Sequence, residues 1–111
     1  MNDILQIIID LADLSKAKNV KLASAESCTG GLISKYMTDL AGSSSFYESS
    51  IIAYSNNSKE RLLDVSRETL QKYGAVSKNV VLEMSAGLLQ KCDANVVVAV
   101  SGIMGPDKDQ S

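Results

Sequence analysis

The segment Ala25–Gly31, with the sequence Ala-Glu-Ser-Cys-Thr-Gly-Gly, gathers side chains that could do chemistry between a strand-like run and a helix-like run. A hydroxyl at a strand-to-helix turn can face a ligand, and the backbone N–H groups that open the helix can bind an anion or oxyanion. Ser27 is the candidate nucleophile of this segment. Its candidate N–H donors are Thr29, Gly30 and Gly31.

A serine nucleophile needs a partner that accepts its proton, and this chain contains no histidine. The remaining candidates are a lysine, a tyrosinate, a carboxylate and the α-amino group. A lysine can serve as the base where burial or a neighbouring cation favours its neutral form. Lys59 follows Tyr54 by five residues across an expected helix start, so it is the lysine best placed to reach the first segment.

The residues of the first segment also have ordinary structural interpretations. Ser27 or Thr29 alone is more often a helix cap than a nucleophile. Cys28 fits a small buried apolar side chain better than a reactive thiol. Glu26 fits a charge near a helix amino end, where it is mildly favourable.

The candidate residues further along the chain have such interpretations too. Tyr54 at a strand end usually packs with its hydroxyl bonded, and Lys59 on a first helical turn is usually solvated. Gly102 and Gly105 are most simply turn glycines. The residues alone therefore favour a site for an anionic small molecule over a catalytic one.

The elements that must position these residues can be predicted from hydrophobic spacing and turn residues. Apolar side chains three and four residues apart predict helices over residues 3–17 and about 32–40. Strands are expected at residues 20–24, 46–54 and 96–100. The last is continuously apolar, which is typical of a strand buried on both faces. Between the second and third strands the candidate helix caps are Asn56 or Ser58, Ser66 and Ser77, with Gly74 as a helix stop.

Helices that alternate with strands predict helices covering a mostly parallel or mixed sheet. Ligands bind such sheets beyond the carboxyl ends of the strands. All three predicted strands are followed there by small polar residues, at 24–31, 54–59 and 101–106. This convergence of three loops is more informative than any single motif.

The composition excludes several classes of function. The 111 residues, 45% of them hydrophobic, fit one globular domain. A net charge of −2 without runs of like charge argues against nucleic-acid binding. Two distant cysteines without histidine exclude a Cys/His metal site. No apolar run approaches the roughly 18 residues of a membrane span, so we expect a soluble cytoplasmic protein that binds no membrane.

Five motifs in order resemble the carboxy-terminal domain of the competence/damage-inducible CinA family. They are Ala25–Gly31, Ala41–Ser44, Tyr54–Asn56 with Lys59, Gly74–Ser77 and Ser101–Asp107. The resemblance runs from about residue 5 to the last residue. It implies a three-layer α/β/α domain at residues 1–111 that is partial, because the closing strands and last helix of the family are missing.

The resemblance also implies a function. Stand-alone family members are amidohydrolases that convert nicotinamide mononucleotide to nicotinate mononucleotide and ammonia, in the recycling of pyridine nucleotides. Carried onto this sequence, the nucleophile falls on Ser27, with Tyr54 and Lys59 as activating partners, and neither a metal nor an organic cofactor is expected. The residues expected to bind the oxyanion or the substrate are Thr29, Gly30, Gly31, Ser43, Ser44, Ser101, Gly102 and Gly105.

The missing portion of the family domain leaves a second hypothesis open. A sheet without its closing strands exposes an edge, and such an edge invites pairing with another chain. The chain could therefore be a non-catalytic module that binds a nucleotide or takes part in assembly. On either hypothesis we expect a small-molecule nucleotide ligand and a homo-oligomer.

Overall fold

A computed structural model describes residues 2–102 of the protein. Five α-helices, one 3₁₀ turn and three strands follow one another along this part of the chain. They are α1 (Asn2–Lys18), β1 (Leu22–Glu26), α2 (Leu32–Thr38), the 3₁₀ turn (Ser43–Ser45), β2 (Tyr47–Ile52), α3 (Asn56–Leu63), α4 (Arg67–Tyr73), α5 (Lys78–Lys91) and β3 (Val96–Val100). The predicted first strand, 20–24, begins two residues too early.

The three strands form a parallel sheet in the order β2-β1-β3. Because β1 lies in the centre, all five of its side chains are buried. Side chains alternate between the two faces of a strand. Ala23 and Ala25 pack with α3, α4 and α5, whereas Leu22 packs with α1 and α2 on the opposite face. The predicted three-layer α/β/α class with a mostly parallel or mixed sheet is confirmed, and the three described strands are all parallel.

The larger core lies between the sheet and α5. Val80, Met84 and Leu88 recur at four-residue spacing along α5 and are fully buried there. This spacing places the three side chains on one face of the helix. At Gly87 the helix passes very close to α3, because a Cβ atom added there would lie 1.8 Å from the Leu63 carbonyl oxygen.

Local capping signals were read correctly at two of three helices. The Ser66 and Ser77 hydroxyls accept hydrogen bonds from the Thr69 and Val80 N–H groups, as N-caps do. At α3 the N-cap is Ser55, whose hydroxyl accepts from the Ser58 N–H group. The prediction of Asn56 or Ser58 as the cap is therefore wrong, by one or three residues. Helix α3 therefore begins at Asn56, the residue that follows the cap.

Strand β3 is not buried on both faces, in contrast to the prediction from its apolar run. Val97 and Ala99 pack against the core under α5. On the other face Val96 and Val98 are 51% and 48% exposed. The helices α1 and α2 contact β1 and β2 on that face, so these two valines lie at an edge strand that the described residues leave uncovered.

Two further properties bear on function. Within residues 2–102, no helix is both long and apolar enough to cross a membrane. The same residues contain no group of three or more His, Cys, Asp or Glu side chains arranged to hold a metal ion.

Candidate active site

The carboxyl ends of the three strands meet at one edge of the sheet. The N–H group of Ser27, directly after β1, donates to the Val100 carbonyl of β3 over 3.0 Å. The Ala53 N–H group, directly after β2, donates to the Glu26 carbonyl over 2.9 Å. These two hydrogen bonds extend the parallel ladders by one residue and bring the loops after all three strands together.

Ser27 and Lys59 meet at a single acceptor, the main-chain carbonyl oxygen of Tyr54. Ser27 Oγ donates to it over 3.4 Å and Lys59 Nζ over 2.9 Å. Both side chains are nearly inaccessible, with 5% and 2% of their surface exposed. The predicted nucleophile and the predicted base therefore share one acceptor atom in a buried environment, although they are far apart in the sequence.

The side chain and the main chain of Tyr54 are placed very differently. Its carbonyl oxygen holds Ser27 and Lys59, whereas its side chain is 71% exposed. The chain runs straight from β2 through Tyr54 to the Ser55 cap of α3, which sets Lys59 on the first turn of that helix. The placement supports a positioning role for the Tyr54 main chain, and a catalytic role for its hydroxyl stays a prediction.

The amino end of α2 is occupied by a side chain of the protein itself. Glu26 is fully buried, and its carboxylate accepts hydrogen bonds from five groups around the turn. The donors are Ser24 Oγ (3.0 Å), Thr29 Oγ1 (2.7 Å) and the N–H groups of Gly31 (3.1 Å), Ile33 (3.0 Å) and Ser34 (2.9 Å). The helix end expected to bind a ligand is thus filled by an internal anion.

The hydrogen bonds of Glu26 also determine its charge. Burial alone would raise the pKa of this carboxyl, but the bonds from the Thr29 hydroxyl and the α2 amides outweigh that effect and hold the pKa below its ordinary value of 4.5. Glu26 is therefore ionised at neutral pH. A carboxylate at this position also interacts favourably with the dipole of α2.

The N–H groups of the predicted oxyanion donors are largely engaged. Gly30 N–H donates to the Ser27 carbonyl over 3.1 Å, and Gly31 N–H donates to Glu26. In the part of the chain that the structure describes, the N–H groups of Cys28 and Thr29 have no acceptor. These two amides are therefore candidate donors for an incoming oxygen.

The loop after β3 lies against the same turn. A Cβ atom added at Gly102 would lie 3.3 Å from Cys28 Sγ, so glycine permits a close approach there. Ser101 Oγ donates to the Ala75 carbonyl over 2.8 Å, which ties this loop to the segment before α5. Gly105, also predicted as a binding residue, lies outside the described residues.

Ser43 and Ser44 lie at the other end of the sheet. They form the 3₁₀ turn that leads into the amino end of β2, and the Ser44 carbonyl accepts from Lys21 Nζ, just before the amino end of β1. Because the strands are parallel, this position is a full strand length from Ser27. The prediction that these serines share a substrate site with Ser27 is not supported within one chain.

The sequence reasoning undervalued Glu26. Its position at the end of a strand, followed by a turn with two glycines and a helix without an acidic residue in its first turn, was the available signal. The buried Ser24 and Tyr47 hydroxyls behind it, 2.6 Å apart, were missed entirely.

Comparison with known proteins confirms the resemblance seen in the sequence. The family described as CinA C-terminal domain matches residues 5–111. A nicotinamide-nucleotide amidohydrolase PncC of Enterobacter agglomerans is 49% identical over 102 residues, which are 92% of this chain and 62% of that protein. The protein of the same name from Escherichia coli strain K12 is 42% identical over 96% of this chain and 64% of its own length. This chain thus spans less than two thirds of either relative.

Solved structures agree with the sequence match. The competence/damage inducible protein CihA from Agrobacterium tumefaciens superimposes with a TM-score of 0.93 at 38% identity, over 98% of this chain and 66% of that one. A CinA superfamily protein from Escherichia coli gives a TM-score of 0.93 at 31% identity, over 96% and 62% of the two chains. Sequence and fold agree over nearly all of its length, and the chain belongs to the CinA C-terminal domain family.

Proposed function

We propose that this chain carries the catalytic serine of an amidohydrolase that converts nicotinamide mononucleotide to nicotinate mononucleotide and ammonia. The names of its PncC relatives support the substrate class. The observation that carries the proposal for this chain is the buried pairing of Ser27 Oγ and Lys59 Nζ on one carbonyl oxygen. A hydroxyl near an amine is one arrangement that can support serine hydrolysis when histidine is absent.

In the first step the neutral amine of Lys59 accepts the Ser27 proton while Ser27 Oγ attacks the carboxamide carbon of the substrate. The π electrons of the C=O bond move onto its oxygen, which becomes an oxyanion. We assign the N–H groups of Cys28 and Thr29 to this oxyanion, because Gly30 and Gly31 already donate to internal acceptors. The Tyr54 carbonyl cannot accept the proton permanently, and its role is to orient both side chains.

In the second step the tetrahedral intermediate collapses. Its C–N bond breaks, Lys59 returns the proton to the leaving nitrogen, and ammonia departs. A water molecule then attacks the carbonyl carbon of the Ser27 ester while Lys59 accepts a proton from it. The C–Oγ bond breaks, Lys59 returns that proton to Ser27 Oγ, and the product acid leaves and ionises to nicotinate mononucleotide. The positively charged pyridinium ring of the substrate draws electrons from the carboxamide throughout, so a moderately strong nucleophile suffices.

The nucleotide phosphate is proposed to bind near the loop after β3. The backbone at Ser101 and Gly102 lies beside the Ser27 turn, where glycine permits a close approach. Ser43 and Ser44, at the amino ends of β1 and β2, are no longer proposed for this role within the same chain. We also propose that the protein is a homo-oligomer in the cytoplasm.

A second candidate function is a module that binds the nucleotide without turning it over. The chain spans only 62% to 66% of the relatives and structures that it matches, so the activity of those whole proteins is a proposal for this chain. The site residues themselves are equally compatible with binding.

Calorimetric binding and ammonia release, measured on the same folded sample with nicotinamide mononucleotide, separate the two functions. If the chain is an amidohydrolase, we expect a heat of binding and the release of one ammonia for each nicotinate mononucleotide formed. Binding without ammonia, in a sample with the expected circular dichroism, would favour the binding module. If the folded chain neither binds nicotinamide mononucleotide nor releases ammonia from it, both proposed functions are wrong. Cys28→Ser is the matched control, since a thiol nucleophile would lose its activity and a Ser27 nucleophile would not.

A further inference from the structure

We propose that Glu26 is a positioning residue whose carboxylate holds the Ser27 turn in the geometry needed for nucleophilic attack. This inference rests on the proposed function for its kinetic consequences. The structural part of the inference, that the turn forms around a buried carboxylate, follows from the hydrogen bonds of Glu26 alone. No contact of Glu26 with the substrate is involved.

The carboxylate joins the two elements that flank the nucleophile. Glu26 is the last residue of β1, and its main-chain carbonyl accepts a hydrogen bond from the Ala53 N–H group. Its side chain reaches forward to the Ile33 and Ser34 N–H groups of α2. One residue thus fixes the distance and orientation between the end of the strand and the start of the helix, and Ser27 lies on the short connection between them.

The two glycines let this connection wrap around the carboxylate. Gly30 and Gly31 have φ angles of +62° and +106°, in the region that other residues rarely adopt. A Cβ atom at Gly31 would also lie 2.9 Å from Ile52 Cδ1. The closed turn delivers the Gly31 N–H and the Thr29 hydroxyl to one oxygen of Glu26, both within 3.1 Å.

A chain of hydroxyl groups holds the carboxylate from behind. An ionised carboxylate can only accept, so Ser24 Oγ must donate its single hydrogen to Glu26. Ser24 must then accept from the Tyr47 hydroxyl, 2.6 Å away. The order of donation is Tyr47 to Ser24 to Glu26, entirely within the buried layer. This order follows from the charge of Glu26, and it orients the Ser24 and Tyr47 hydroxyls toward the carboxylate.

The positioning matters because Glu26 takes up donors that would otherwise compete inside the turn. With Gly31 and the first α2 amides bonded to the carboxylate, the Cys28 and Thr29 N–H groups remain for the substrate oxygen. In Glu26→Gln one of the two carboxylate oxygens becomes an NH₂ group. Either the Thr29 hydroxyl and the Gly31 and Ile33 N–H groups or the Ser24 hydroxyl and the Ser34 N–H group then lose their acceptor. A displacement of about 1 Å in such a site can cost about 100-fold in rate.

The test uses Glu26→Gln, which keeps the size of the side chain but places an NH₂ group against donors. The milder variant Tyr47→Phe removes only the hydroxyl that supports Ser24. The control is Ser66→Ala, which removes the cap of α4 away from the site. Each sample is normalised to its folded fraction, and three quantities are measured: kcat and KM for nicotinamide mononucleotide, the rate at which a fluorophosphonate labels Ser27, and amide hydrogen exchange at Ile33 and Ser34.

For Glu26→Gln we expect kcat to fall by about 10- to 100-fold with KM changed less than about twofold. Labelling of Ser27 falls and exchange at Ile33 and Ser34 accelerates, with smaller changes of the same sign in Tyr47→Phe. Ser66→Ala leaves all three quantities per folded molecule unchanged. If Glu26→Gln does not fold, Tyr47→Phe alone decides.

Unchanged labelling and exchange in the folded variants would overturn the positioning role, whatever the activity. Failure of the proposed function has a different signature. In that case the wild-type chain releases no ammonia, yet the variants still accelerate exchange at Ile33 and Ser34 relative to wild type. The two failures are therefore distinguishable in one set of samples.

Discussion

Ser27 and Lys59 donate to one carbonyl oxygen, and the Glu26 carboxylate accepts five hydrogen bonds around the turn that carries Ser27. The absence of histidine points to a lysine, and the loops after parallel strands indicate Lys59. In the structure Ser27 and Lys59 donate to the same carbonyl oxygen. Glu26 was read as a mildly favourable charge because that is what an exposed acid near a helix amino end contributes. The larger role of Glu26 comes from its burial among five hydrogen-bond donors. That burial depends on how β1 and α2 pack, which the local sequence does not predict.

The charge of Glu26 predicts an acid sensitivity of the fold. Its folded-state pKa is below the ordinary 4.5, because hydrogen bonds to the ionised form outweigh burial. The stabilisation is therefore fully present above pH 4.5 and is lost as the pH falls through the lower, folded-state pKa. Urea unfolding at pH 7 and pH 3 should show a smaller loss of stability in Glu26→Gln than in wild type. The exposed variant Glu68→Gln serves as control, and an equal loss in Glu26→Gln and wild type would contradict this assignment.

At the scale of elements, signals between near neighbours were reliable and signals that depend on distant partners were not. Ser66, Ser77 and Gly74 mark helix ends through contacts within four residues, and all three do so in the structure. The burial of β3 depends on what covers each face of the sheet. The prediction from its apolar run, burial on both faces, is therefore wrong for Val96 and Val98. The close packing of α3 on α5 had no sequence signal except the lone glycine within α5.

That glycine predicts an unusual response to substitution. Alanine normally stabilises a helix by about 1 kcal/mol relative to glycine. At Gly87 the added methyl group would overlap the Leu63 carbonyl oxygen, so α3 must move away from α5. We expect Gly87→Ala to lower the free energy of unfolding by about 1–3 kcal/mol net, measured by urea denaturation.

The exposed position Gln90, on the same helix, provides the comparison. Gln90→Ala should change the free energy of unfolding by less than about 0.5 kcal/mol. An increase in stability for Gly87→Ala would mean that α3 and α5 are not in contact at this point.

At the scale of the whole molecule, the parallel sheet gathers three loops at one edge and leaves β3 at its side. The class of fold and the gathering of loops followed from the alternation of helices and strands. What could not be predicted is that Ser43 and Ser44 fall at the opposite end of the sheet. Their motif belongs to the family series, but its position relative to Ser27 depends on strand direction and length.

The uncovered side of β3 bears on the expected homo-oligomer. Exposed apolar side chains on an edge strand favour pairing with another chain, and Val96 and Val98 are such side chains. We expect concentration-dependent association in sedimentation velocity, reduced in a Val96→Thr/Val98→Thr variant that keeps shape and β-propensity. Val76→Thr, at an exposed valine before α5, should leave association unchanged. A wild-type chain that stays monomeric at all concentrations would contradict this prediction.

The most direct test of the catalytic assignment is ammonia release from nicotinamide mononucleotide by folded wild-type chain, Ser27→Ala and Lys59→Met in parallel. We predict measurable release by wild type and a loss of at least about 1000-fold in both variants, because nucleophile and base act as one unit. Retention of wild-type ammonia release by folded Ser27→Ala would contradict the assignment of Ser27 as the nucleophile.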